Sequence, residues 1–297
     1  MAGREREEVT LLIDGDTVAY RAAAAVQKTM EDFHGYVMPF ANVTEGEAVV
    51  DNILLGLYRD LHATGMQVYL SDPAGSWRIE LAASYKTNRD EWGDDEQSST
   101  KVRPLLLGRL KEYLRTKYSA SHWAGLEADD VLGILATAPK EYPGKTVVVG
   151  KDKDFDTIPG FHHQMGRDVN HAGKPIIREV TEDYANWFHM VQSLAGDRVD
   201  GYAGCPGIGM ERSKRILSDP KELVPEHGVV TRGARKGQAT TKWVSKPTDS
   251  MWRCIVTHYE KAGRDEAEAL LNARLARILR AGEYDRETGA VKLWVPN

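Results

Sequence analysis

The chain has 297 residues, of which 41% are hydrophobic and 28% charged, with 39 Lys/Arg against 44 Asp/Glu for a net charge of −5. This is ordinary globular usage, so collagen-like, disordered and coiled-coil chains are excluded, and at ~150 residues per domain it predicts one large domain or two modest ones. The acidic balance excludes a molecule coated all round with nucleic-acid-binding charge but leaves room for a local basic footprint.

No apolar run approaches the ~18 residues of a membrane span, and Arg4-Glu5-Arg6-Glu7-Glu8 stands where a signal peptide has its apolar centre, so a cytoplasmic protein without a membrane partner is expected. Cys205 and Cys254 are too few for a disulfide framework or a four-thiolate zinc site and read as free packing thiols.

In chain order, Val9 to Ile13 is a short apolar run that ends in Asp14, and residues 17–30 follow with Ala-rich helical composition. Ala48 to His62 has helical apolar spacing, Gly65 opens a strand over Gln67 to Leu70, and that strand leads to Ser71 and Asp72. Residues 88–100 have no period, five acids and two serines, and read as a loop. Leu105 to Tyr118 and Glu127 to Thr137 read as helices. Thr146 to Val149 is a β-branched strand buried on both faces that runs out at Gly150-Lys151-Asp152. Thr181 to Ala195 is a helix with Thr181 as N-cap. From Cys205 to Lys246 nine Lys/Arg face four Asp/Glu, and helices over 249–261 and 265–281 complete the chain. Strands alternating with helices predict an α/β fold with a central, mainly parallel sheet flanked by helices. Residues 1–200 read as the α/β domain and 201–297 as a basic, helical one.

Acids just past strand ends lie where such sheets bind ligands. They form five sites: Asp14; Asp72; Glu127, Asp129 and Asp130; Asp152 and Asp154; Asp197 and Asp200. Glu127 and Asp130 are three apart on one helix face, as are Asp197 and Asp200. Singly, such acids are most often caps or solvated charges, and Asp156 and Asp168 read that way. Together they would repel without a counter-cation, and oxygen donors without His or Cys favour Mg²⁺ or Mn²⁺ over zinc. Two such ions would suit in-line displacement at phosphorus. His162 and His163 are adjacent, point apart in an extended chain, and read as packing or surface residues.

The order LLIDGD (11–16), SDPAGSWRIELAASYKTNRD (71–90), GLEADD (125–130), VVVGKDKDFDTI (147–158) and LAGDRVDGYAGCPGIGMERSKRIL (194–217) resembles the flap endonuclease and 5′-nuclease superfamily, in particular the 5′→3′ exonucleases of short-tailed phages. The resemblance implies that Asp14, Asp72, Glu127, Asp129, Asp130, Asp152, Asp154, Asp197 and Asp200 hold two divalent ions. It implies that Tyr85 stacks on a base while Lys86 and Arg89 meet the scissile phosphate. It also implies a helix-hairpin-helix element with Gly207, Gly209, Ser213, Lys214 and Arg215 at the DNA and K⁺ held at the hairpin. Arg21, on the helix after Asp14, is a candidate for a further phosphate contact.

Two features depart from the pattern. Residues 88–100 are acidic where many relatives carry a basic arch, and Asp16 replaces a neutral polar residue, to serve as a ligand or a helix cap.

The implied activity is metal-dependent 5′→3′ hydrolysis of duplex DNA from 5′ ends, nicks or flaps, with removal of RNA primers from RNA–DNA hybrids, by a monomer working among phage replication proteins in the host cytoplasm. A rival reading is a haloacid-dehalogenase-type phosphatase, because Asp14-Gly15-Asp16-Thr17-Val18 fits that family's nucleophile motif. It leaves Glu127, Asp129, Asp130 and Asp152 without a role.

Overall fold

Alternating apolar residues in β1 (Val9–Asp14) and β5 (Lys145–Gly150) supply both faces of a sheet at once. In the computed structural model, which describes residues 7–87, 103–138 and 141–296, these two strands are the centre of a five-stranded sheet. With β4 (Gly65–Tyr69), β6 (Gly160–Gln164) and β7 (Arg178–Val180) the order is β4-β1-β5-β6-β7, parallel except for β7. Leu11, Ile13, Val147 and Val149 share a core with α1 (Gly15–Val26), α2 (Val43–Asp60) and α4 (Leu107–Tyr118). Leu12 and Val148 take the alternate face, and α5 (Ala128–Thr137) packs against β1 and β5.

Two compact units emerge. One comprises Met1–Glu80, Glu91–Ala185 and Ile278–Lys292; the other comprises Leu81–Asp90, Asn186–Arg277 and Leu293–Asn297. A single division at 200/201 is thus replaced by a chain that passes between units more than once. The first unit takes back residues 278–292 because their amides have partners there: Leu279 N–H donates to Asp130 Oδ1 (3.2 Å) and Ala281 N–H to Thr137 Oγ1 (2.8 Å). The same bonds explain why the last helix, α9 (Glu266–Leu275), stops short of the expected 281.

The second unit contains most of α6 (Glu182–Ala195), then α7 (Met210–Ser218), an antiparallel ribbon of β8 (Lys221–Val229) and β9 (Ala239–Pro247), α8 (Met251–Lys261) and α9. Its core joins Val191, Leu194, Ile208, Leu217, Ile255 and Tyr259, with both cysteines buried among them. Burial pushes the Cys205 thiol up to about 11, so both sulfurs act as packing groups. Thr181 caps α6 as expected, accepting the Tyr184 amide at 3.2 Å.

The helix expected to run to residue 30 ends at Val26. Its buried stripe, Val18, Ala19, Ala22, Ala23 and Val26, ends there too. The strands β2 (Lys28–Glu31) and β3 (Val37–Phe40), all exposed, pair instead as a hairpin. No helix among the described residues is long and apolar enough to cross a membrane.

Candidate active site

Three adjacent parallel strands deliver acids to one edge. β1 ends at Asp14, level with Tyr69 of β4, and the chains continue past β4 to Asp72 and past β5 to Asp152. Asp14 caps α1: its carboxylate accepts the Thr17 amide at 3.1 Å and also the Thr17 hydroxyl. It is only 5% exposed, and burial, with Asp16 and Asp152 nearby, lifts its carboxyl from 3.8 to about 6 despite those bonds. Asp72 is held ionised by the Ala74 and Gly125 amides (2.9 and 2.7 Å), which lower its pKa. Asp152 caps the 3₁₀ turn Lys153–Thr157 through the Asp154 amide, and Lys153 lies 3.2 Å from Asp154. Asp16 neither caps α1 nor stands open: it accepts the Ser71 amide at 2.9 Å and faces the Lys111 ammonium at 2.7 Å.

Asp130 requires a correction. Its side chain is fully buried, and Arg78, on α3 (Trp77–Leu81), donates to both of its oxygens at 2.7 and 2.8 Å. The Trp77 indole N–H (3.0 Å) and the Leu279 amide add two more donors. With its acceptor capacity filled, Asp130 is a structural anchor rather than a metal ligand. Arg78 also reaches Glu127 at 3.0 Å and so ties the start of α5 in place, with Asp129 on the turn between the two acids.

Among the described residues no three Asp, Glu, His or Cys side chains converge as a ready-made metal cage. The donors that remain are nevertheless hard oxygens, and Asp14 is a buried carboxyl short of cationic partners. That chemistry fits a hydrated divalent ion held through one or two carboxylates, with water completing its shell.

In the second unit Asp197 and Asp200 do not share a helix face. α6 ends at Ala195, and both acids lie in a turn in which Asp197 Oδ1 accepts the Val199 amide at 2.8 Å. Gly201, at φ +79°, lets that turn meet the segment ahead of it, because a Cβ there would sit 2.6 Å from the Ser84 carbonyl. The Lys86 amide donates to the Asp200 carbonyl at 3.0 Å, and its ammonium is 3.9 Å from the Asp200 carboxylate. Lys86 itself is left-handed, φ 58°, an unfavourable conformation for a residue with a side chain.

Tyr85 departs from the base-stacking role. It is 5% exposed, packed with Tyr202, Leu275 and Ala276, and its ring lies 4.9 Å from the Lys86 ammonium. Arg89 and the 88–100 loop lie outside the described residues.

Gly207 and Gly209 are exposed on either side of buried Ile208, with open space where side chains would be, and Gly209 is the N-cap of α7. Ser213 is fully buried and donates to the Val191 carbonyl at 2.7 Å, so it joins α7 to α6 and is closed to a phosphate. Lys214 is half-exposed and pairs with Glu211 at 2.9 Å, while Arg215 and Arg21 are exposed. Sequence reasoning missed Arg78, whose signal was an arginine inside the short helical run after Asp72. The histidines are packing residues as expected: His162 and His163 are buried against the Ile158 and Ile176 carbonyls.

A mainly parallel sheet with carboxylates beyond three adjacent strands defines an α/β protein that gathers its acids at the carboxyl edge, where such sheets bind ligands. The solved T5 D15 protein, co-crystallised with metal ions, shares this fold at a TM-score of 0.55 and 16% identity, over 91% of this chain and 89% of that one. Residues 9–171 match the family described as 5′-3′ exonuclease, N-terminal resolvase-like domain. Over 228 residues the chain is 35% identical to the exodeoxyribonuclease of Enterobacteria phage T3 and 36% to the exonuclease of Escherichia phage T7, covering 74% of this chain and 70% and 71% of theirs. The chain belongs to the 5′-3′ exonuclease family and is a nuclease of the hydrolase class. The match takes in Asp14-Gly15-Asp16, and the phosphatase reading has no support.

Proposed function

We propose that the chain degrades duplex DNA from 5′ ends, nicks or flaps and releases 5′-phosphate products, using two Mg²⁺ or Mn²⁺ ions. The observation that carries this reading is the row of acids at the carboxyl edge of β4-β1-β5, with Asp14 buried against like charges. Asp14, Asp72, Glu127, Asp129, Asp152 and Asp154 in the first unit, and Asp197 and Asp200 in the second, are the residues assigned to hold the ions. When bound, such ions stabilise charge on the attacking and leaving oxygens and favour the ionised form of water.

The protein's own contribution is positional. The Thr17 bonds fix the Asp14 carboxylate, the Asp72 carboxylate is set by two amides, and the Arg78 fork holds the α5 acids. Lys86, constrained by its backbone bond to Asp200, supplies a cation for the scissile phosphate, where charge grows as water adds to phosphorus and the P–O3′ bond breaks. Arg89 and Arg21 belong to the same phosphate-contacting set. Gly207, Gly209, Lys214 and Arg215 contribute backbone amides and positive charge to duplex binding, with K⁺ at the hairpin. The phage source of the relatives supports a setting in phage replication in the host cytoplasm; RNA–DNA hybrid as a second substrate and the monomer as the working form belong to the same proposal.

The test is digestion of labelled duplexes blocked at one end or the other, with and without EDTA. Loss from the 5′ end that EDTA arrests is expected; preferential loss from the 3′ end, or insensitivity to chelation, overturns the reading. Lys86→Ala is expected to lower the single-turnover rate about tenfold or more with melting unchanged, and an unaltered rate returns Lys86 to an ordinary surface role.

A further inference from the structure

The β8–β9 ribbon is anchored at one end only. Leu223 N–H donates to Thr257 Oγ1 of α8 at 3.0 Å, and Glu222, Leu223, Val224, Trp243 and Val244 are half-buried. From Pro225 round to Lys242 every strand residue is exposed. Nine paired residues make a ribbon about 30 Å long with strands ~4.8 Å apart, yet a two-stranded ribbon has no core to stabilise so long a projection alone.

Its far end is closed by backbone hydrogen bonds. The Val230 amide donates to Gln238, the Gly237 amide to Val230 and the Lys236 amide to Gly233, with Gly233 and Gly237 at positive φ. Charge is placed unevenly along it. Glu226 stands opposite Lys242 in the register, so these two offset each other, whereas Arg232, Arg235 and Lys236 at the tip pair with no acid among the described residues. Three unneutralised cations within five residues, in a chain of net charge −5, are held together by the turn that presents them.

We propose that this ribbon is a nucleic-acid-binding arm whose tip engages the sugar-phosphate backbone of the substrate duplex. A two-stranded ribbon fits the ~12 Å major groove, and the tip cations are placed to contact phosphates beside it. Exposed lysines on unpaired strands also discourage aggregation, but that purpose needs charge along the edges and not three cations gathered at the turn. The proposal rests on the nuclease reading above, since the duplex is that enzyme's substrate.

The test uses the full chain in EDTA, titrated with a long blunt duplex at several KCl concentrations. Relative to the parent, Arg232→Gln/Arg235→Gln/Lys236→Gln is expected to make the slope of log K against log salt shallower by about 2 to 3, at about 0.9 for each phosphate left unneutralised, and Arg232→Lys/Arg235→Lys to retain the parent slope. Replacing 231–237 by Asn-Gly gives a second variant that keeps the ribbon's base, and a melting curve confirms that each variant is folded. A parent that does not bind duplex DNA breaks the nuclease reading itself. A parent that binds, with glutamine and shortened-ribbon variants of unchanged slope, overturns the arm.

Discussion

Asp14 and Asp130 are both buried acids of the first unit, 5% and 0% exposed, and their surroundings are opposite. Around Asp130 the fold supplies a bidentate guanidinium, an indole N–H and a backbone amide. Around Asp14 it supplies one threonine and places Asp16 and Asp152 within electrostatic reach, and the carboxyl rises to about 6. The difference separates two uses of buried charge. An acid with every acceptor site filled ties elements together; an acid left short of cations is kept for something that arrives from solution.

The sharpest way to break this comparison is to remove acids assigned to the ions. Asp152→Ala and Asp129→Ala are expected to retain duplex binding while losing about 10³-fold or more in cleavage rate, the several kcal/mol of charge stabilisation that ion positioning provides. Substantial cleavage by either under saturating Mg²⁺, read by gel, rejects the assignment. For the first kind, Arg78→Ala leaves Asp130 buried without its counter-ion and is expected to cost about 3–5 kcal/mol in urea unfolding. Arg78→Met with Asp130→Leu recovers much of that loss if the pair is architectural, whereas a double variant as unstable as Arg78→Ala alone contradicts it.

A smaller effect has the opposite sign. Ionised Asp14 is disfavoured in the folded state, because its pKa there is raised above the ordinary 3.8. The penalty is full above pH 6 and disappears as pH falls through about 6 toward 3.8, where the folded state takes up the proton first. In EDTA, Asp14→Asn is expected to stabilise the protein by about 2–3 kcal/mol at pH 8 and by about 1 kcal/mol near pH 4.5, while abolishing cleavage. Equal melting shifts at the two pH values would remove the electrostatic account. Least in size, Lys214→Ala with Arg215→Ala is expected to make the salt slope of duplex binding shallower by at most about 1.8, and an unaltered slope would show that α7 is not an anchor.

Much of the first unit was legible. The runs at 9–13 and 146–149 are apolar apart from Thr10 and Thr146 and rich in β-branched residues, as a strand buried on both faces requires, and acids that follow such strands fall at the carboxyl edge of a parallel sheet. What was not legible depended on partners distant in the chain. Helicity at 276–281 was plausible locally, but Leu279 and Ala281 bond to side chains roughly 145 residues earlier. The 205–246 stretch showed only its charge excess, and the ribbon within it pairs its own two strands and is tied to α8 where Leu223 meets Thr257.

The candidate site divides in the same way. Residue type and spacing along the chain determined the acids, their order and the oxygen chemistry they imply, because a strand end and the residue after it are local properties. Which acids remain available was decided by tertiary structure. Arg78 and Asp130 are 52 residues apart and meet only when α3 is laid against α5, and Ser213 is taken up by Val191 only when α7 is packed on α6. A carboxylate or hydroxyl is identical in sequence whether its lone pairs are filled or free, and the filling is done by whichever donors the fold brings within about 3 Å.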